Sequence, residues 1–437
     1  MTPWRMSLSA TVLATALALA GLCAHAGAMA NEAANEAANE AAADLAADGD
    51  PGAADTPQQA LYREAMDALA EGRRTDASNT LRRLVAEQPL HAGAWLDLAL
   101  TQCGLGNVDE AERLFALFET RFQPSADLLT LIAQTREAGC KPWRPVRSTT
   151  VSVGRGADRN VNQGASVTSL VVDRGGPVEL PLLPDFLPQA DQYNLLGVDH
   201  LRELTPNGSI GYLQMQVRRN DDMHKYDSAA VFAGVESPWR VQRMTVRTAA
   251  TLGAVSLGGH LYQRQGQLQA RVTPALPLPG GAQLTLLGNA TWNDYPTLAN
   301  FNSLTLEGRA QLAWRDGPLA ASAAFGLSTD RARGQRPGGD RHGNIGSVLL
   351  RRSLPAGFGG ELGYTRQAWN SASAYAPGLI DPVRTQRTEV LRSALSYQVG
   401  KYQTLQLEAR AVRNRENIAI FQYNNRILQL SLLWQLP

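Results

Sequence analysis

The sequence predicts a multidomain α+β protein, with a short all-α domain of helical repeats followed by a transmembrane antiparallel β-barrel of about 14 strands. The first observation behind this is an apolar segment near the N-terminus that is typical of exported proteins. The second is a helical repeat in residues 57–140. The third is a change to strict two-residue alternation of apolar and polar residues after position 146.

Residues 1–30 are expected to be a signal peptide. Arg5 supplies the positive start, the stretch 8–22 is apolar but too short to remain as a membrane helix, and cleavage after Ala26 or Ala30 fits the small residues there. The stretch 31–56 repeats the motif NEAA three times and then turns acidic, with Pro and Gly. It has no apolar face to bury, so a disordered linker is expected.

Residues 57–140 align with themselves at a shift of 34 positions. Ala65 then matches Ala99, Gly72 matches Gly106, and further matched pairs are Leu61 with Trp95, Ala77 with Ala111, Leu81 with Phe115 and Leu84 with Phe118. Small residues let two helices approach closely, and large apolar ones bury against the next pair. This pattern resembles the tetratricopeptide repeat, with a capping helix expected at 125–139 and a location in the periplasm.

Tetratricopeptide arrays bind extended or helical segments along the face formed by the first helix of each unit. In this chain that face would include Tyr62, Met66, Leu96 and Leu100. The same four residues would fit a role in the core equally well.

After removal of the signal peptide two cysteines remain, Cys103 and Cys140. In an oxidising compartment they could form a disulfide, and two separate buried thiols are an equal alternative. No pair of cysteines or histidines has the spacing of a metal site, and no catalytic motif or cofactor fingerprint is present. We therefore expect no catalytic residues, no metal and no cofactor, and a protein that is not an enzyme.

The segment 146–437 has the alternation of transmembrane β-strands. Leu304, Leu306, Leu312 and Trp314 alternate with Thr305, Glu307 and Gln311, and similar alternation recurs along the segment. The apolar residues would face lipid and the polar ones the lumen, over lengths close to the 9–11 residues of a tilted strand. Tryptophans at strand ends (Trp292, Trp314 and Trp434) fit an aromatic girdle.

The connections between these strands are expected to alternate between long and short. Tight turns are predicted at the TPNG sequence from Thr205 and the SPWR sequence from Ser237, and longer loops at 157–190 and 369–387. Outer-membrane barrels have short periplasmic turns and long surface loops. With the helical domain in the periplasm, the first strand would run outward.

Charge is unevenly distributed along the chain. Residues 146–437 contain 30 Lys and Arg against 21 Asp and Glu, although the whole chain is close to neutral. Arginines on surface loops would pair with lipopolysaccharide phosphates, or an anionic passenger could use the same charge. Expected partners are outer-membrane lipid and lipopolysaccharide, the barrel-insertion machinery and an exported protein, but no nucleic acid.

A motif at the end of the first strand carries a resemblance. The sequence GRGADRNVNQGAS contains Gly156, Asp158, Asn160, Val161 and Asn162. Together with the helical repeats and the barrel, it resembles the surface lipoprotein assembly modifier (Slam) family. Membership would imply export of a surface lipoprotein or a secreted partner protein across the outer membrane. The alternative is an Asn/Asp-rich turn whose side chains bond nearby backbone.

Three functions fit these expectations. The first is a translocator that exports or displays a specific passenger protein, captured in the periplasm by the helical repeats. The second is an exopolysaccharide export porin, a class that also joins tetratricopeptide repeats to a barrel. The third is a structural or adhesive barrel with a plugged lumen.

Overall fold

The computed structural model describes residues 57–141, 143–173, 177–241, 244–274, 276 and 278–436. The expected signal peptide (1–30) and linker (31–56) lie outside these residues. The described part consists of a helical domain followed by a closed antiparallel barrel of fourteen strands, as the alternation of the sequence predicts.

The helical domain contains five helices in the described residues. They are α1 (Pro57–Ala70), α2 (Arg74–Glu87), α3 (Ala92–Gly104), α4 (Val108–Phe122) and α5 (Ala126–Ala138). The small residues matched by the 34-residue shift are buried at the helix contacts, with Ala65, Ala77, Ala99 and Ala111 all 0% exposed. Gly72 and Gly106 have φ angles of 75° and 83°, which a glycine adopts without strain in the turn after each first helix.

Two complete helix pairs and half of a third make up this domain. Helix α5 has no following partner helix before the barrel, and Ile132 is its one residue that is buried. Arg136 of α5 bonds both Glu112 at 2.7 Å and Glu119 at 2.6 Å on α4. A disulfide between Cys103 and Cys140 joins α3 to the segment that follows α5. Of the two alternatives for these cysteines, the structure therefore contains the disulfide.

The barrel uses β1 and β4 to β16. Its strands are β1 (Arg147–Asp158), β4 (Asp191–Glu203), β5 (Ile210–Asn220), β6 (Ser228–Val241), β7 (Met244–Leu257), β8 (His260–Thr273), β9 (Gln283–Asp294), β10 (Ser303–Asp316), β11 (Leu319–Ala332), β12 (Arg341–Ser353), β13 (Phe358–Ala376), β14 (Ile380–Gly400), β15 (Gln403–Glu416) and β16 (Tyr423–Leu436). Strands β2 (Ser169–Asp173) and β3 (Pro177–Pro181) form a separate hairpin within the connection from β1 to β4.

The barrel closes where β1 pairs with β16. The register runs antiparallel from Thr149 opposite Leu436 to Asp158 opposite Ile427, and the other edge of β1 pairs with β4. Closure leaves no strand of the barrel with an open edge, which a sheet surrounded by hydrocarbon cannot tolerate.

The alternating apolar and polar residues of each strand lie on opposite faces of the barrel wall. On β16 the outward side chains are apolar and well exposed, from Leu428 (53%) through Leu430 and Leu432 to Trp434 (49%). The inward positions between them include Gln429 and Ser431. Large exposed apolar side chains continue over the other strands, and Leu252 reaches 73%.

Most short connections among the described residues lie at one end of the barrel, which we call the short-turn end. Residues 204–209, 317–318, 354–357 and 401–402, the start of β1 and the end of β16 lie there. The opposite, long-loop end holds the described parts of 159–190 and residues 221–227, 295–302, 333–340 and 417–422, together with two short connections, 258–259 and 377–379. The helical domain precedes β1 and therefore joins the barrel at the short-turn end.

Two predicted connections, a turn and a loop, are wrong. Ser237 to Arg240 do not form a turn but continue β6 to Val241. Proline is tolerated there because the pairing of β5 with β6 ends at Ile210 opposite Glu236, so Pro238 pairs on one side only, with Arg247 of β7. The expected loop at 369–387 is instead a long hairpin, in which β13 extends to Ala376 and β14 begins at Ile380.

Among the described residues, no helix combines the length and the apolar character needed to cross a bilayer.

Candidate functional site

Part of the face proposed for partner binding is buried in the core of the helical domain. Leu96 lies in the core with 8% of its surface exposed, so its side chain is not offered to a partner. Tyr62, Met66 and Leu100 are half-buried and pack against that core. A binding role for these three residues stays a prediction.

Tyr62 links the two repeat units. Its hydroxyl on α1 donates to Oδ2 of Asp97 on α3 at 2.6 Å, and its ring lies 4.8 Å from that of His91 between centroids. Burial, and then this hydrogen bond, raise the pKa of Tyr62 well above its usual range. Burial also raises the pKa of the Asp97 carboxyl. The first helices of the two units are therefore joined by a polar pair on the side where partners were expected to bind.

The helical domain is fixed to the barrel through the N-terminus of α2. The residue before this helix, Arg73, provides no side-chain cap. Instead, the turn between β4 and β5 supplies the acceptors: the backbone N–H of Arg74 donates to the carbonyl oxygen of Pro206 at 3.1 Å, and that of Asp76 donates to Oδ1 of Asn207 at 3.2 Å. The first N–H groups of a helix have no partner within the helix, so the barrel caps α2 from another domain.

Charged and polar contacts extend this junction. Arg240 near the end of β6 lies 3.7 Å from Glu64 of α1, and the Thr245 hydroxyl lies 3.5 Å from Oε1 of Glu71. Gly208, with φ of 78°, comes so close that a β-carbon there would lie 3.3 Å from the carbonyl oxygen of Glu71. A cavity of about 140 Å³ remains at this junction, and its lining includes Glu64, Arg73, Asp76 and Arg240.

The motif at the end of β1, residues 156–162, contacts the closing seam, which is the pairing of β1 with β16. We call this motif the brace. Asn160 is 1% exposed; its Nδ2 donates to the carbonyl oxygens of Gly164 (3.0 Å) and Asn424 (2.9 Å), and its Oδ1 accepts from the N–H of Gly164 (2.7 Å). Asn424 lies on β16, so this side chain ties β1 to the last strand. The side chain of Asn425 returns a bond to the carbonyl oxygen of Asn160 at 3.3 Å.

The rest of the motif organises the first long connection. Nδ2 of Asn162 donates to the carbonyl oxygens of Asp185 (3.1 Å) and Leu187 (2.7 Å), while Oδ1 accepts from the N–H of Gln189 (2.9 Å). The N–H of Val161 donates to the carbonyl oxygen of Gln189 at 2.8 Å. The side chains of Asn160 and Asn162 thus bond backbone groups both nearby and far along the chain. The alternative given by the sequence, a turn with local bonds only, accounts for part of these contacts.

Asp158 and Gly156 complete the brace on the lumen side. Asp158 pairs with Arg218 of β5 at 2.8 Å, and the Arg218 guanidinium lies 3.8 Å from the ring centroid of Tyr193. Tyr193 crosses over Gly156 so that its hydroxyl donates to Gln429 of β16 at 2.9 Å. A β-carbon at Gly156 would lie 2.3 Å from Cζ of Tyr193, so only glycine allows this crossing.

The lumen wall is charged and largely ion-paired. One ladder crosses four consecutive strands: Arg351 bonds Glu361 at 2.6 Å, Glu361 also bonds Arg392, and Arg392 bonds Glu408 at 2.8 Å. Other inward pairs are Arg247 with Glu236, Arg309 with Glu307 and Arg384 with Glu416. The wall therefore presents alternating charge of both signs rather than one sign.

In the part of the chain that the structure describes, no three His, Cys, Asp or Glu side chains are grouped so that they could hold a metal ion.

Comparison with known proteins identifies one part of the chain. A family model of the tetratricopeptide repeat matches residues 68–135. No curated protein matches the chain.

Several solved structures align with about two thirds of this chain. Outer-membrane expressed OmpT of Vibrio cholerae aligns over 68% of this chain and 99% of its own, with 6% identity and a TM-score of 0.38. An anion-selective porin from Comamonas acidovorans covers 67% and 99%, with 8% identity and a TM-score of 0.36. An outer-membrane channel from Pseudomonas putida F1 covers 67% and 97%, with 12% identity and a TM-score of 0.36.

The brace predicts that Asn160→Ala destabilises the closing seam. Three hydrogen bonds are lost, including the one accepted by the carbonyl oxygen of the buried Gly164, at about 1–3 kcal/mol. The detergent-folded variant should unfold at a lower temperature in gel-shift assays and exchange its β16 amides faster near Asn424. Arg159→Gln, at a neighbouring exposed position, is the control. Equal stability of the two variants would contradict this role.

The capping contact predicts that Asn207→Ala loosens the helical domain from the barrel. Loss of a side-chain cap costs about 1 kcal/mol, and the Asp76 amide should exchange with solvent correspondingly faster. Asn207→Asp retains the acceptor oxygen and is the matched control. If the Asp76 amide exchanges equally slowly in wild type and Asn207→Ala, the turn does not cap the helix.

The described chain therefore joins a tetratricopeptide-type helical domain to a closed barrel of fourteen antiparallel strands.

Proposed function

We propose that this protein is an outer-membrane translocator that exports or displays a specific partner protein, which its helical repeats capture in the periplasm. The observation that carries the proposal is the position of the repeat domain. It is capped and ion-paired onto the short-turn end of a closed barrel, by Pro206, Asn207 and Arg240. A passenger bound by the repeats would then be held beside the barrel mouth.

The two faces of the strands support a location in the outer membrane. The exposed apolar side chains on the outer wall, such as Leu252, Leu327 and Phe325, would be costly in water and are favourable against hydrocarbon. Closed barrels satisfy all strand hydrogen bonds internally, as a membrane requires. Short turns face the periplasm in outer-membrane barrels, so the repeat domain would lie there.

The mixed charge of the lumen supports a protein passenger over a charged polymer. A pore for a polymer of one charge sign would be expected to offer the opposite sign along its wall. The ladder of Arg351, Glu361, Arg392 and Glu408 presents both signs to the lumen. A polypeptide also carries both signs and could pass such a wall without a deep electrostatic trap. No catalytic chemistry is required of the protein.

The resemblance to the Slam family agrees with this proposal through residues 156–162. The bonding of Asn160 and Asn162 ties the first long connection to the seam between β1 and β16. In a translocator this brace would hold the connection in place while a passenger moves.

Deletion of residues 57–141 should abolish surface display of one partner protein and leave the barrel inserted. Removing Cys140 together with Cys103 avoids an unpaired thiol. Surface labelling of intact cells, followed by proteomics, compares wild type with the deletion, and the amount of folded barrel is measured in the same cells. Asn207→Ala, which retains the domain but loosens its docking, should give partial loss.

Two outcomes would contradict the proposal. If secretion of a polysaccharide is lost and no surface protein changes, the barrel is a polymer porin. If neither changes while the barrel remains folded, the repeats do not serve export.

A further inference from the structure

The outer wall of the barrel carries a cluster of arginines at the long-loop end. On β13, β15 and β16 the outward positions just before the first arginine are apolar. On β14 the outward Glu389 lies between Leu391 and Arg387. We call the five residues Arg366, Arg387, Arg413, Arg415 and Arg426 the outer arginine patch.

The apolar surface stops where the patch begins. Below Arg366 on β13 lie the exposed Leu362 (52%) and Tyr364 (41%), and below Arg426 on β16 lies Leu428 (53%). These side chains are two residues apart along a strand, so they point to the same face. In a membrane the patch would therefore lie at the upper edge of the hydrocarbon layer.

The strand register brings the arginines together across three strands. Glu389 on β14 pairs with Arg366 on one side and with Arg413 on the other. One pleat further out, Arg387 is opposite Arg415. Neighbouring strands are about 4.8 Å apart, so the row from Arg366 to Arg413 spans about 10 Å.

Most of this charge is not neutralised by the protein. The patch contains five arginines and one acid, Glu389, which bonds Arg387. The charge of Glu389 also interacts with Arg413 and Arg415, but in the described part of the chain the ion pair with Arg387 is the one that Glu389 forms. The arginines of the lumen wall differ from the patch, since Arg351 and Arg392 both form ion pairs with Glu361.

We propose that the outer arginine patch binds the phosphates of the phosphorylated glycolipid in the outer leaflet, with its acyl chains lying against the apolar wall below. Guanidinium groups bond phosphate oxygens bidentately, and five arginines against one acid leave a net positive charge that provides the donors. An apolar wall next to a cationic rim fits a ligand that has both an anionic head and hydrocarbon tails. A free anion or a nucleic acid has no such tails. The site rests on the proposed location in the outer membrane.

Other outward arginines provide a matched control. Arg219 on β5, Arg264 on β8 and Arg331 on β11 also lie near the long-loop end, but on separate strands with none adjacent to another. A triple Arg→Gln substitution at these positions removes as much charge as the same substitution at Arg366, Arg413 and Arg415, but leaves the patch intact.

The test is a titration of the detergent-folded full chain with bisphosphorylated lipid A, followed by native mass spectrometry. The patch variant (R366Q, R413Q and R415Q) should bind about tenfold or more weakly than wild type. The control variant (R219Q, R264Q and R331Q) should stay within about twofold of wild type. Dephosphorylated lipid A should bind wild type as weakly as bisphosphorylated lipid A binds the patch variant, and inorganic phosphate at the same concentration should not compete.

Equal weakening by the two variants, or equal binding of lipid A with and without phosphates, would overturn the site. Full competition by inorganic phosphate would also overturn it, because it would mean a site for a free anion. A wild-type chain that stays soluble without detergent and binds no lipid would instead overturn the proposed membrane location. Wild-type lipid binding that is unaffected by the patch substitutions would overturn this site alone.

Discussion

The pairing of the first barrel strand with the last is the constraint on which the rest of the structure depends. Without the pairing of β1 with β16, two edges would present unpaired backbone groups to the surroundings. The helical domain precedes β1, and β1 pairs antiparallel with β16. The domain therefore lies at the end of the barrel where β16 ends. The buried side chain of Asn160 and the crossing of Tyr193 over Gly156 reinforce that seam from the loop side and the lumen side.

The helical domain depends on the barrel as much as on its own core. Its two repeat units are few for an independent array, and among the described residues no helix follows α5 to complete a third pair. Three devices compensate: the disulfide between Cys103 and Cys140, the ion pairs of Arg136, and the cap that the barrel turn places on α2. The same devices hold the repeats beside the barrel mouth, which links the stability of the domain to the function proposed for it.

The elements that local sequence determines could be predicted, and the contacts between distant segments could not. Alternation along β16 and the 34-residue spacing of Ala65 and Ala99 both act within a few residues, so strand faces and helix contacts follow from them. Asn160 looked like a local turn residue because its partner Asn424 lies at the other end of the chain. The turn at Asn207 was predicted as a turn, but nothing in its sequence indicates that it caps a helix in another domain. Core and groove positions share helical spacing, which leaves Leu96 ambiguous in the sequence. Pro238 suggests a turn because the sequence does not show that the pairing with β5 stops before it while the pairing with β7 continues.

The central claim is that the two faces of each barrel strand meet different surroundings, hydrocarbon outside and water inside. A nitroxide scan along β16 from Ile427 to Leu436, with the protein in lipid bilayers, tests it most directly. The account predicts that collision with oxygen is high at Leu428, Leu430 and Leu432 and that collision with a water-soluble nickel complex is high at Gln429 and Ser431. Accessibility to the nickel complex that is equal at all positions, or that repeats every three to four residues, would contradict it.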